Sequence, residues 1–266
     1  MPDTRSFGSP LNAWLVWLPP TVAAAAFAVV AASGRNAGLF AWLNALGPRT
    51  SDLLWANITI LGDTVVALTL CLPLWRRRPD LIWALAIGAL LATAWVHVLK
   101  PIVDSPRPPA VLGDAVHVIG PAYKVGSFPS GHATTIFAVA GLYALGLRSP
   151  AMTVLALGIA TVASASRSVV GVHWPLDVLA GMFGGWLSAA LGLVIARQLN
   201  FGLRPAVQWA MALVLVGCAV ALLAGHRTGY PQAVWLQRTL ALVSLAAAAW
   251  VPVRDWRARA DARIRA

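Results

Sequence analysis

The chain has 266 residues, of which 59% are hydrophobic and only 11% charged. A soluble domain carries about 25% charged residues, so the composition excludes one and indicates an integral membrane protein. The formal net charge of +11 comes from 20 Lys and Arg against 9 acidic residues, all Asp. No basic stripe interleaves with aromatics in a soluble segment, so nucleic acid is not an expected partner and the basic residues read as cytoplasmic membrane anchors.

Eight apolar runs follow one another along the chain, at about residues 11–32, 53–75, 81–99, 131–147, 151–165, 176–195, 206–224 and 234–251. Helices of these lengths, at about 1.5 Å per residue, approach the roughly 30 Å of a bilayer core. Backbone polar groups in lipid must be satisfied internally, and the lengths suit helices rather than barrel strands. The expected fold is an all-α polytopic transmembrane bundle of about eight spans. The first run is too long for a cleavable signal peptide and has no basic segment before it. Cys71 and Cys218 both fall in apolar runs, and no disulfide is expected.

Arginine sets the expected orientation. Arg76, Arg77 and Arg78 follow the second run, Arg148 follows the fourth, and Arg197 and Arg204 flank the turn after the sixth. Arg254, Arg257, Arg259, Arg263 and Arg265 form a basic tail. With alternating spans all of these fall on one side, which puts both termini in the cytoplasm. Trp14, Trp55, Trp75, Trp95, Trp209, Trp235 and Trp250 suit an interfacial belt.

The other side gathers three unusual stretches: "LKPIVDSPRPP" after the third run, "FPSGHATT" before the fourth, and "SRSVVGVHWPLDV" between the fifth and sixth. Ionisable residues at a membrane boundary are costly and point to function. Lys100 and Arg107 are separated by a segment that Pro101 and Pro106 keep from being regular helix, and Arg167 comes from the third stretch. Three cations at one point call for an anion, and a phosphoryl group supplies the charge and three acceptor oxygens. Pro129 suits the first turn of a helix. Ser130, Gly131 and His132 would then offer free N–H groups at its positive end, an anion cradle that also brings the His132 imidazole alongside. His173 is followed four residues later by Asp177, which can accept from one ring nitrogen and leave the other free to attack phosphorus. A metal site is the competing reading, but these residues lack a ligand spacing and the cations would repel a divalent ion. Taken singly, each cation also reads as a snorkelling anchor and Pro129–His132 as a plain helix cap.

Together, Lys100-x6-Arg107-Pro108, Pro129-Ser130-Gly131-His132 and Ser166-Arg167-x3-Gly171-x-His173-x3-Asp177 resemble the three-part signature of the type 2 phosphatidic acid phosphatase family, which includes membrane lipid phosphatases and soluble vanadium haloperoxidases. The resemblance implies a core at residues 1–199, with the signature at 100–177, followed at 200–266 by two spans and a basic tail that it does not reach. It implies phosphate binding by Lys100, Arg107, Ser130, Gly131 and Arg167. It also implies a phosphohistidine on His173 oriented by Asp177, His132 as general acid, and neither metal nor cofactor. The expected substrate is a lipid phosphate or diphosphate. Undecaprenyl diphosphate, phosphatidylglycerophosphate, phosphatidate and lipid A phosphate all suit a site on the periplasmic side of a bacterial inner membrane. Two alternatives stay open: a lipid phosphotransferase, and a non-catalytic lipid-binding or transport protein. The roles of Asp63 (a partner of the cations, or the start of a later helix) and of His97 (expected in core packing) also stay open, as does the oligomeric state.

Overall fold

The computed structural model describes residues 11–264, with side chains up to residue 250. The described residues form helices and connecting turns with no strand. The helices are α1 (Ala13–Ala32), α2 (Asn36–Asn44), α3 (Leu46–Arg49), α4 (Asp52–Thr59), α5 (Thr64–Cys71), α6 (Pro79–Val103), α7 (Pro108–Leu112), α8 (Gly131–Leu147), α9 (Pro150–Val169), α10 (Pro175–Gln198), α11 (Pro205–Ala224) and α12 (Val234–Ile264). Of the basic tail, Arg254, Arg257, Arg259 and Arg263 fall where side chains are not described, and Arg265 lies outside the described residues.

Most boundaries follow local chemistry. Ser51, Ser130 and Ser149 cap α4, α8 and α9 through their side chains. Proline opens α6, α9, α10 and α11, where a missing N–H costs nothing. Pro129 is not in the first turn expected for it but two positions before the helix begins at Gly131. The N-cap is Ser130, so Pro129 precedes the helix. Pro101 sits in the last turn of α6, where it gives up one backbone hydrogen bond, and the helix stops at Asp104 in the left-handed region (φ 38°), so no regular helix joins Lys100 to Arg107, as expected.

Among the described residues, six helical segments are long and apolar enough to cross a membrane. The second apolar run is instead a pair, Asp52–Gly62 and Thr64–Leu74, bent by 65°. The fourth is the 17-residue α8, about 25 Å long and shorter than the others. The architecture is therefore the expected polytopic bundle, with six clear spans, one broken one and one short helix in place of eight uniform ones. The break has a local cause. Asp63 caps α5 by accepting from the amides of Val65 and Val66 at 2.9 and 3.2 Å. A Cβ on Gly62 would lie 2.8 Å from Cβ of His132, so the bare glycine lets α8 begin against the break. Asp63 thus starts a new helix and does not pair with the site's cations.

The core centres on α10, packed chiefly on α8 and α6. Small residues allow the close approach. A Cβ on Gly185 would fall 2.2 Å from the Thr134 carbonyl, and one on Gly192 2.8 Å from the Ala84 carbonyl. Dispersion between closely fitted helices, rather than expulsion from water, holds such contacts in lipid. Leu215, Leu222 and Ala241 of α11 and α12 belong to the same buried cluster as Leu81, Phe137 and Trp186.

The two ends of the bundle differ in chemistry. At one end Arg78 forms a fork with Asp80 (3.0 and 2.7 Å) and donates to the Gly146 carbonyl, while Gln208 donates to the carbonyls of Pro79 and Gly202. Lys100, the start of α8, the end of α9 and the start of α10 lie at the other. Trp14, Trp209, Trp235 and Trp250 are exposed, as a belt requires. Trp95 is not part of one: its ring packs on Phe183 and against Gly184.

Gly185→Leu should force α8 and α10 apart and destabilise the protein by about 1–3 kcal/mol. It should read as a lower melting temperature in detergent, whereas Gly158→Leu, at a position with nothing within 4 Å, should leave the temperature unchanged.

Candidate active site

The three stretches singled out in the sequence converge on His173. The loop that carries it is shaped by Gly171, whose φ of +84° suits glycine and whose Cβ would fall 2.6 Å from the His117 carbonyl. The amides of Val172 and His173 both turn back to the Arg167 carbonyl, at 3.1 and 3.2 Å. Ser168 Oγ donates to the His173 carbonyl at 3.0 Å. Asn44 clamps the same corner, donating to the carbonyls of His117 and Val169 and accepting from the His117 amide.

His173 is 2% exposed, and its two ring nitrogens have different partners. Nδ1 faces Asp177 Oδ2 at 3.3 Å, and Nε2 faces Nη1 of Arg107 at 3.2 Å. A guanidinium only donates, so Nε2 carries the lone pair and Nδ1 the proton. Burial first, then the charges of Arg107, Arg167 and Lys100, hold this imidazole well below the ordinary histidine range. It is a neutral base with its lone pair directed at the cations.

Asp177 Oδ2 also accepts from the Trp174 amide at 2.8 Å and, through a short bond, from Ser127 Oγ. Ser127 is fully buried, and the sequence reading passed over it although it stands two residues before Pro129. The Asp177 carbonyl accepts from the Ser130 amide at 3.0 Å. The Ser130 N–H is therefore not free, as the sequence had suggested. The first-turn amides left to meet an anion are those of Gly131 and His132. Ser130 Oγ accepts from the Ala133 amide as the helix cap.

The cations are gathered by backbone. Lys100 Nζ and Arg107 Nη2 both donate to the Gly126 carbonyl. Arg107 donates further to the carbonyls of Val125 (2.8 Å) and Val172 (3.0 Å) and lies over the Tyr123 ring, 5.1 Å from its centroid. Arg167 is 2% exposed. Its Nη1 donates to Thr59 Oγ1 at 2.6 Å and to Tyr230 Oη at 3.0 Å. Its Nε is buried and has no hydrogen-bond partner among the described residues, and the same holds for His132 Nε2. Buried polar atoms of native proteins are nearly all paired, so both atoms fit a site that receives an anion. Thr59 and Tyr230 were not found in the sequence, since each lies in an apolar or turn segment far along the chain.

Below His132 lies a cavity of about 220 Å³, lined by Leu68, Leu85, Ala92, Val96 and Val139 among others. His97 faces it and is exposed rather than packed in the core. Cys71 and Cys218 are free. His117 pairs with Asp52 at 2.8 Å, away from the cation cluster.

Comparison with known proteins identifies the family. The profile of the PAP2 superfamily matches residues 80–201. An undecaprenyl-diphosphatase of Sulfolobus acidocaldarius is 32% identical over 159 residues, covering 58% of this chain and 76% of that protein. The chain belongs to the PAP2 superfamily. A lipid A 1-phosphatase of Rhizobium etli is 43% identical over 143 residues, or 49% of this chain, and the match spans 60% of that relative's length. The crystal structure of Aquifex aeolicus LpxE superposes with a TM-score of 0.55 at 28% identity, covering 60% of this chain and 94% of that one. The superfamily match stops before α11.

The depressed basicity of His173 has a consequence for stability. The unfolded chain takes up a proton near pH 6.5 and the folded site resists it, so this contribution is complete above that pH and is lost as the pH falls. The melting temperature of the wild type should therefore fall on acidification below pH 6.5, and His173→Gln should make that dependence shallower.

Proposed function

We propose that the chain is a metal-independent lipid phosphate or diphosphate phosphatase acting through a phosphohistidine. The observation that carries this reading is the state of His173: Nδ1–H directed to Asp177, and the lone pair of Nε2 directed at the cations. An anion-binding module needs cations and amides but no oriented nucleophile.

In the proposed reaction the phosphoryl oxygens lie among Lys100, Arg107, the Nε edge of Arg167, Ser130 Oγ and the amides of Gly131 and His132. Nε2 of His173 attacks phosphorus as the bond to the leaving oxygen breaks, and His132 gives that oxygen its proton. The bound dianion favours a protonated His132 at this step. Asp177 holds the ring in its tautomer and offsets the charge that appears on it. Water then gives a proton to His132 and attacks phosphorus, the P–N bond breaks, and phosphate leaves with His173 neutral again. The donor set, three cations around a carboxylate already engaged by three donors, suits a phosphoryl group better than a divalent metal. The apolar cavity beside His132 supports a leaving group that is a lipid. The relatives named for lipid A and undecaprenyl diphosphate support the same class.

The position of the basic turns supports a site facing the periplasm. Arg76–Arg78 and the turn after α10 lie at the end of the bundle opposite His173, and charge clusters at about 2.5–3.5 kcal/mol per residue do not translocate easily.

His173→Ala should lower phosphate release from a panel of lipid phosphates by at least about 10³-fold, and orthovanadate should inhibit the wild type in the presence of EDTA. Near-normal turnover by His173→Ala, or strict dependence on added divalent metal, would remove the mechanism. Sidedness is read independently. In a chain without Cys71 and Cys218, a cysteine at Lys124 should react with an impermeant maleimide in intact spheroplasts, and one at Arg77 only after lysis.

A further inference from the structure

Two helices and a turn lie beyond the residues that match the superfamily, yet the turn touches the site. We propose that the turn between α11 and α12 is part of the phosphate-binding apparatus, with the hydroxyl of Tyr230 as a positioning group that sets the rotation of the Arg167 guanidinium. The proposal rests on the phosphatase reading above, in which Arg167 binds phosphate.

The turn is a built structure. The amides of Gly225 and His226 close onto the Ala221 carbonyl. Gln237, 2% exposed, reaches back from α12 to donate to the carbonyls of Leu222 and His226 at 2.8 and 3.0 Å. His226 Nε2 lies 3.2 Å from both carboxylate oxygens of Asp63, which ties the turn to the break between α4 and α5. Tyr230 is 3% exposed and clusters with Ala56, Ile60, Ile119, Val170 and Val172, so it packs beneath the loop that runs from Arg167 to His173. Gly120 leaves room for its ring, since a Cβ there would fall 2.7 Å from Cε1.

The hydrogen bonds then decide what the hydroxyl does. Nη1 of Arg167 has two N–H groups, and their acceptors are Thr59 Oγ1 and Tyr230 Oη. With both engaged, the guanidinium plane is fixed and its Nε edge is the part left for an anion, consistent with the buried Nε having no partner among the described residues. A planar fork recognises phosphate only when its plane is correctly turned. Without the hydroxyl, one N–H of Nη1 would be buried and unpaired and would compete for the anion or turn the group away. Tyr230 touches neither nucleophile nor acid, and acts through Arg167.

The test uses the full chain in detergent, with orthovanadate as the probe of anion binding and phosphate release from a lipid phosphate as the probe of turnover. Tyr230→Phe keeps the ring and its packing. It should weaken vanadate binding about tenfold and lower kcat/KM by a similar factor, as expected for one lost hydrogen bond to a charged group. In an Arg167→Lys background, which lacks the fork, Tyr230→Phe should cost nothing further. Vanadate affinity unchanged by Tyr230→Phe would overturn the proposal, as would an equal loss in both backgrounds, which is what a merely loosened turn would give. A wild type that neither binds vanadate nor releases phosphate would instead overturn the phosphatase reading itself.

Discussion

The site depends on one carboxylate. Asp177 Oδ2 collects the hydroxyl of Ser127, the amide of Trp174 and Nδ1 of His173, and the same residue's carbonyl collects the amide of Ser130. Four points from two separate stretches of chain are thereby tied to the first turn of α10. An isolated carboxylate buried this deeply would be very costly. Its donors remove most of that cost: the hydroxyl of Ser127 in the loop leading into α8, the amide of Trp174, and the imidazole of His173.

A second constraint is the crowding of like charges. Lys100, Arg107 and Arg167 approach a neutral imidazole, and two unit charges about 4 Å apart repel by about 4 kcal/mol at an effective dielectric of 20. The protein disperses this repulsion by donating each cation to carbonyls and hydroxyls: Gly126, Val125 and Val172 for Arg107, Gly126 for Lys100, Thr59 and Tyr230 for Arg167. Those acceptors hold the cations still without neutralising them. The positive potential stays available to an anion, and the arrangement costs little reorganisation when charge develops on it.

The bundle supplies rigidity at the right end. Close approach at Gly185 and Gly192 locks α10 to α8 and α6, so the N-termini of α8 and α10 and the C-terminus of α6 are set relative to one another before any ligand arrives. The broken second run has a related role. A side chain at Gly62 would collide with His132, so the bare glycine makes room for that residue, while Asp63 beside it meets His226 and Thr59 meets Arg167.

Membrane residence, the run boundaries, the opposite placement of arginine turns and the polar stretches, and the pairing of His173 with Asp177 were all legible in the sequence. Each is a matter of composition or of spacing within a single helix turn. Ser130 as a cap and Pro175 at the start of α10 are local in the same way. Tertiary structure alone decided the rest. Whether the amide of Ser130 was free depends on a carbonyl from another helix. The partners of Arg167 show the reason most plainly: Thr59 and Tyr230 lie 108 and 63 positions away along the chain. Periodicity reports which face a residue presents, but the hydrogen bond a buried guanidinium makes is chosen by whatever acceptor the packed bundle delivers to it. A hydroxyl in an apolar segment carries no local mark of that use.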